Sequence, residues 1–189
     1  MTTYRPLKSD PTTLDVIEDA KRGSEPAWAQ IYGSLAGPVT GYLRSRGAVD
    51  PEDLSSEVFY QVARDIHRFD GDADKFRSWV FVIAHRRLID ARRTASRRPV
   101  LADEGDVVLD ERGGDVEEEV MANLETAWMR EIFDSLTDEQ QQVLSLRIVA
   151  DLSLEDTAAV MGKRVGAIKA LQRRALTAVR ARLAESGVS

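Results

Sequence analysis

The sequence predicts an all-α protein of two small helical domains joined by a flexible acidic linker. Apolar residues recur at a spacing of three or four along most of the chain, and no segment shows the alternation of a strand. Residues 99–120 lose this periodicity and are acidic, which is typical of a linker. We therefore expect a disordered arm over residues 1–12, a first domain over 13–98 and a second domain over 121–189, each folded separately.

Four helices account for the first domain. We predict them from about Leu14 to Lys21, from Ser24 to Gly47 with a kink or restart at Pro38, from Asp50 to Ile66, and from Lys75 to about Arg97. Asp50 before Pro51 is a strong helix start, because its carboxylate accepts from free backbone N–H groups while proline takes the first helical position. The side chains expected to face inward are Trp28, Ile31, Tyr32, Leu35, Leu54, Val58, Phe59, Val62, Ile66, Phe76, Trp79, Val80, Ile83 and Ala84.

Two further helices open the second domain. The first should span Glu118 to Ser135, and Thr137 should cap the second. The residues expected inward in the first are Leu124, Trp128, Ile132 and Phe133. In the second, Val143, Leu144 and Leu146 are expected to pack against the helical hairpin that follows it.

A helical hairpin follows, over Leu152 to Leu183. Gly162 interrupts the helical spacing where a glycine can take positive φ, and a second periodic run begins at Val165. The inner stripes are expected to be Leu154, Ala158 and Met161, then Val165, Ile168, Leu171, Leu176 and Val179. Lys169, Gln172 and Arg173 remain on the open face.

Basic charge is concentrated in two places, although the net charge is −6. Residues 162–184 hold seven basic side chains and no acidic one, and residues 85–98 hold six arginines against one aspartate. The acid excess lies in residues 101–126, with ten acidic side chains and one basic. Phosphate is the natural partner of such patches, although a basic helix can also be a solvated bundle helix and Trp79 a core residue.

The composition excludes several classes of site. The 189 residues contain no cysteine and only two histidines, which excludes disulfides, thiolate zinc sites and histidine-rich metal clusters. Asp70, Asp72 and Asp74 imitate a calcium loop, but Lys75 and Phe81 replace its required glycine and glutamate. We expect no enzymatic activity, no cofactor and no small-molecule substrate, because no nucleophile, paired carboxylate or phosphate-binding glycine loop is present.

The sequence also bears on location. No apolar run approaches the roughly 20 residues that span a bilayer, and the N-terminus lacks the apolar core of a signal peptide. We expect a cytoplasmic protein without membrane insertion.

With both halves described, the chain resembles the extracytoplasmic-function (ECF, group IV) sigma factors of the sigma-70 family. DPEDLSSEVFYQVARDIHRFD followed by FRSWVFVIAHRRLIDARR is similar to the family's region 2, and LSLEDTAAVMGKRVGAIKALQRRAL to its region 4 helix-turn-helix. The resemblance implies a transcription initiation factor that binds core RNA polymerase at its clamp and flap, recognises promoter DNA and is held inactive by an anti-sigma factor.

The resemblance also assigns roles to residues. Polymerase docking would use Glu52, Asp53, Glu57 and Gln61. Contacts to the −10 element would come from Asp70, Gly71, Asp72, Lys75, Trp79, His85, Arg86, Arg87, Arg92 and Arg93. Contacts to the −35 element would come from Arg164, Lys169, Gln172, Arg173 and Arg174. The family often has Gln where Ser56 stands, Asn near Arg86 and Pro where Thr137 stands, and the arginine leaves the −10 preference open.

Two other functions fit parts of the pattern. A homodimeric DNA-binding regulator would need a dimerisation helix and would bind a palindromic site without polymerase. A helical adaptor would use its basic helices to bind acidic proteins and would not contact DNA.

Overall fold

A computed structural model describes residues 11–97 and 128–185, and within these ranges every regular element is helical. The first half contains α1 (Pro11–Lys21), α2 (Glu25–Ser45), α3 (Pro51–Asp65), a 3₁₀ turn (Ile66–Arg68) and α4 (Ala73–Arg97). The second contains α5 (residues 128–134), α6 (Asp138–Leu144), a π-helical turn (Ser145–Val149), α7 (Leu154–Met161) and α8 (Val165–Glu185). The predicted linker and Leu124 lie outside the described residues, so the linker remains a prediction.

Three of the predicted helix starts are confirmed by their capping bonds. Ser24 Oγ accepts from Ala27 N–H at 3.4 Å, and Asp50 Oδ1 accepts from Asp53 N–H at 2.8 Å. Thr137 forms a capping box with Gln140, whose side chain accepts from the Thr137 N–H at 3.0 Å. These side chains bond N–H groups that have no partner inside the helix.

Three predictions about the first half were wrong. Helix α1 begins at Pro11 rather than near Leu14, since proline suits a first helical turn, so residues 11 and 12 do not belong to the predicted arm. The restart predicted at Pro38 does not occur: helix α2 runs unbroken from Glu25 to Ser45, and the buried Leu35 and Val39 hold both sides of the proline in one core. Tyr32 was predicted to face inward, but it is 52% exposed, and its ring packs on the Phe59 ring in an edge-to-face arrangement with centroids 4.8 Å apart.

The hairpin follows the sequence prediction closely. Gly162 ends α7 with φ of 62°, a left-handed conformation that disfavours side chains with a Cβ. Ile168 and Leu171 of α8 are buried, and so is Ala175, which the pattern had not singled out.

The two halves are packed against each other. Helices α1 to α4 form one core cluster, and four second-half residues belong to that same cluster: Leu146, Ala150, Leu152 and Val160. Leu146 was predicted to pack on the hairpin, but it is fully buried in the first half's core. The π-helical turn carries it there, while Val143 and Leu144 point into the second half's own core as predicted. The halves are therefore not separate in this fold.

Candidate nucleic-acid interface

Helix α8 presents an open cationic face. Its buried side holds Ile168, Leu171 and Ala175, which seat it against α6 and α7. On the other side Arg164, Lys169, Arg173 and Arg174 are exposed, and Gln172 is half-buried. None of these four cations bonds or pairs with any residue that the structure describes, whereas Lys163 in the preceding turn pairs with Glu139 at 2.7 Å. The free charges are thus available to an external anion.

Helix α3 carries the acidic face. Glu52 pairs with Arg44 of α2, and Asp53 is exposed. The Arg87 guanidinium bonds both Glu57 and Gln61: its Nε donates to Gln61 Oε1 at 2.8 Å, and its Nη1 donates to Glu57 Oε2 at 3.4 Å. The structure therefore joins Arg87, predicted to contact DNA, to the face predicted to contact polymerase.

A groove runs between α3 and the second part of α4. It has a volume of about 840 Å³ and an apolar floor that includes Leu54, Leu88 and Ala91. Its charged lining is mixed: acidic Asp50, Asp53, Glu57 and Asp90 lie beside basic Arg87 and Arg92.

The loop before α4 depends on Gly71. A Cβ at this position would lie 2.7 Å from Cζ of Phe69, which is closer than side-chain contacts allow. The Phe69 ring packs on Trp79, with centroids 5.2 Å apart, so Trp79 is half-buried against the core. Asp70 and Asp72 are exposed, and Asp72 Oδ1 accepts from the Lys75 N–H at 3.0 Å, which explains why α4 begins before Lys75.

A cleft of about 480 Å³ separates this loop from α7. On one side it is lined by Gly71, Lys75 and Trp79, and on the other by Glu155 and Asp156. It is large enough for a planar ring, but carboxylates of the second half form one wall.

The basic part of α4 faces in several directions. Arg86 and Arg93 are exposed, and Arg93 lies 3.8 Å from Asp90. His85 and Arg92 instead face the second half. The predicted −10 residues on α4 therefore do not form one continuous open surface.

His85 lies in a polar network between the halves. Its Nδ1 is 3.0 Å from the Tyr42 hydroxyl, and Gln142 Nε2 lies 3.2 Å from the ring. Burial lowers the pKa of His85, the nearby Arg46 and Arg92 lower it further, and Asp138 opposes them in part. Burial also raises the pKa of Tyr42. Burial and the two arginines therefore favour the neutral imidazole over its protonated form.

Arg46 is the residue that the sequence reading missed. Its side chain is only 2% exposed, pairs with Asp138 and donates to Gln141 Oε1 at 2.7 Å. Arg92 lies 3.6 Å from the same Asp138 carboxylate and donates to the Arg46 carbonyl. No local pattern marks Arg46, because its partners lie more than 90 positions along the chain.

Within residues 11–97 and 128–185, every helix is too short or too polar to span a bilayer. No group of three or more His, Asp or Glu side chains there is placed to hold a metal ion.

Comparison with known proteins covers both halves. The profile of sigma-70 region 2 matches residues 31–98, and that of sigma-70 region 4 matches residues 132–181. The ECF RNA polymerase sigma factor ShbA of Streptomyces griseus is 33% identical over 188 residues, which cover 93% of this chain and 98% of ShbA. BldN of Streptomyces coelicolor, also named an ECF sigma factor, is 32% identical over 86% of this chain, which spans 62% of BldN.

Two solved structures share the fold. CnrH in complex with the cytosolic domain of CnrY has a TM-score of 0.68 and 23% identity, and the match covers 95% of this chain and 100% of that one. The sigma factor RpoE in complex with the anti-sigma factor NepR, from Bartonella quintana, has a TM-score of 0.61 and 17% identity, and the match covers 82% of this chain and 95% of that one.

Proposed function

The chain belongs to the ECF sigma factors of the sigma-70 family, and from that premise we propose that it binds core RNA polymerase, recognises −35 and −10 promoter elements and helps to melt the promoter. The observation that carries the proposal is the open cationic face of α8, which follows a tight turn in a chain whose other half holds a second basic helix.

We assign the −35 element to α8. A helix that follows a short turn fits the major groove, where its first residues meet base edges. Lys169, Gln172 and Arg173 lie on the open side, and Arg164 and Arg174 flank them. Arg173 suits a bidentate contact to guanine, because it has no partner among the described residues and its fork matches two acceptors.

We assign the −10 element to the loop before α4 and to α4 itself. Unstacking a base costs a few kcal/mol, which a pocket offsets when it captures the flipped base. The cleft beside Gly71 and Trp79 has the size for that, with Lys75 at its edge to meet a phosphate. Asp70 and Asp72 would accept from base edges, and Arg86 and Arg93 would follow the strand along α4.

We assign polymerase docking to the acidic face of α3. Glu52, Asp53, Glu57 and Gln61 border the groove between α3 and α4 or lie beside it, and a basic helix of the polymerase clamp would fit there. Region 4 would bind the flap.

The remaining partners follow from the same role. The structure of CnrH contains the cytosolic domain of CnrY, and the structure of RpoE contains the anti-sigma factor NepR. We propose that a protein inhibitor of this kind binds the present chain. The proposed role lies in the cytoplasm and involves no catalysis, cofactor or small-molecule substrate by the sigma factor itself.

Run-off transcription with reconstituted core polymerase on a mapped promoter tests the proposal. A transcript should require both the chain and core polymerase. Arg173→Ala should cost about 1–3 kcal/mol in promoter binding and relax the preference at one −35 position. Lys163→Ala is the matched control: it removes one cation from the same hairpin, but one already paired with Glu139. If the chain binds DNA equally well with and without polymerase, the homodimeric regulator is favoured. If it does not bind DNA at all, the helical adaptor is favoured.

A further inference from the structure

We propose that Ser96 is a phosphorylation site for a serine kinase that selects arginine-rich substrates, and that a phosphate there weakens the binding of α4 to the melted −10 strand. Ser96 is exposed and lies in the last turn of α4, which ends at Arg97. The site follows from the residues around the serine, whereas its effect on DNA rests on the proposed function.

Arginines flank Ser96 on both sides. Residues 92–98 read RRTASRR, so arginines stand three and four positions before the serine and one and two positions after it. No other serine of the chain has arginines at both of those preceding positions. Protein kinases distinguish substrates partly by charge patterns, and guanidinium groups form their strongest hydrogen bonds with carboxylates. A kinase with carboxylates along its peptide groove would therefore select this segment.

The place of Ser96 in its helix allows a kinase to reach the hydroxyl. Ser96 Oγ donates to the Arg93 carbonyl at 2.9 Å, and the helix ends one residue later. Few backbone bonds must break to extend the chain there, because the last turn of a helix is already short of partners. Thr177 provides the contrast. Two arginines precede it at the same spacing, but it lies inside α8, which continues to Glu185.

The modification is a phosphoryl transfer from a nucleoside triphosphate such as ATP, which the kinase supplies. Ser96 Oγ forms a bond to the γ-phosphorus, and the bond between that phosphorus and the oxygen bridging it to the β-phosphate breaks. The nucleoside diphosphate leaves with the electron pair of the broken bond, and the hydroxyl proton passes to a base of the kinase. The product is a serine phosphate ester on the surface of α4.

The phosphate would change the charge that α4 offers to DNA. Arg93 lies three positions before Ser96, so the two are neighbours on the helix surface, and it is exposed, with its Nη1 3.8 Å from Asp90. A phosphate on Ser96 would pair with Arg93 in place of a DNA phosphate. Residues 85–98 hold six arginines against one aspartate. Because a phosphoserine adds about −1.5 to −2 charges, the net charge of this stretch would fall by roughly two.

Labelling of the full chain tests the site itself. A serine/threonine kinase that requires arginine before its target, supplied with ATP, should phosphorylate Ser96, as read by mass spectrometry of peptides, and Ser96→Ala should abolish the main product. Two controls separate the two requirements. Ser135 directly follows α5 and its Oγ donates to the Ile132 carbonyl at 2.7 Å, but it lacks the preceding arginines. Thr177 has those arginines but lies within a helix. Absence of phosphate on Ser96, or faster labelling of Thr177, would overturn the assignment.

Binding of a single-stranded −10 oligonucleotide to the complex with core polymerase tests the effect. Each phosphate contact to a single strand contributes about 0.7 to the slope of log K against log salt, so losing two contacts should lower the affinity roughly 20-fold at about 0.1 M salt. Ser96→Asp, which adds one charge, should lower it roughly fivefold. Ser135→Asp adds the same charge in the second half and should leave the affinity unchanged. Equal binding by the phosphorylated and unmodified chains would overturn the proposed effect. Failure of the unmodified complex to bind the strand would refute the proposed function, whatever the labelling result.

Discussion

Leu146→Ala measures how strongly the second half is held on the first. Leu146 has no exposed surface and lies in the core built by α1 to α4, although the turn after α6 carries it. Burying a leucine side chain contributes about 2–3 kcal/mol, and an incompletely filled cavity brings the total loss to about 2–5 kcal/mol. Because 1.4 kcal/mol is a tenfold change, a loss of about 3 kcal/mol raises the ratio of open to docked molecules about a hundredfold.

Leu144→Ala is the matched control. Leu144 is 5% exposed and lies only two positions earlier, but it packs in the second half's own core. Both variants should lower the melting temperature, whereas only Leu146→Ala should separate the halves in the folded protein. The difference arises because residues two positions apart lie on nearly opposite sides of a helix, so Leu144 and Leu146 face different cores.

Energy transfer between two dyes provides the assay. Tyr60 of α3 and Thr177 of α8 are both exposed, so cysteines introduced there can be labelled. Because the chain has no cysteine of its own, they would be the only labelling sites. Transfer should fall in Leu146→Ala and stay at the wild-type value in Leu144→Ala, each measured well below its melting temperature. Unchanged transfer in Leu146→Ala would refute the reasoning, since Leu146 would then stabilise only the second half.

Three other changes have expected outcomes. Gly162→Ala should destabilise the fold by about 1 kcal/mol in thermal unfolding because φ is 62° there, while Gly166→Ala, in open space on α8, should be neutral or stabilising. Acidification should weaken the docking of the two halves, because burial in the docked form lowers the pKa of His85 and so disfavours the protonated ring. The contribution of the neutral ring to docking is complete above about pH 6.5 and is lost as the pH falls through the lowered pKa. The dye pair should report this between pH 8 and 5, and persistence of the effect in His85→Gln would assign it to another group. Arg87→Ala should weaken promoter opening without altering the −35 preference in run-off transcription. If a template with a pre-melted −10 bubble fails to restore the activity of this variant, the main role of Arg87 lies in polymerase docking, through its bonds to Gln61 and Glu57.

The helices and the recognition hairpin could be predicted from the sequence because their causes are local. Asp50 before Pro51, Thr137 before Gln140 and the left-handed Gly162 each act within one helical turn. The spacing of Ile168 and Leu171 determined which face of α8 is buried, and therefore which cations stay exposed. Charge clustering along the chain was equally visible.

The docking of the halves was decided only by the tertiary structure. The spacing that buries Leu146 is the same whether its partner is the hairpin or α1 to α4, and only the packing of the turn after α6 against α2 settles which core receives it. Arg46 looks like an ordinary surface arginine in sequence, since Asp138 and Gln141 meet it only after the chain folds back. Periodicity specifies that a side chain is buried, but the choice among equally apolar or charged partners depends on how distant segments pack.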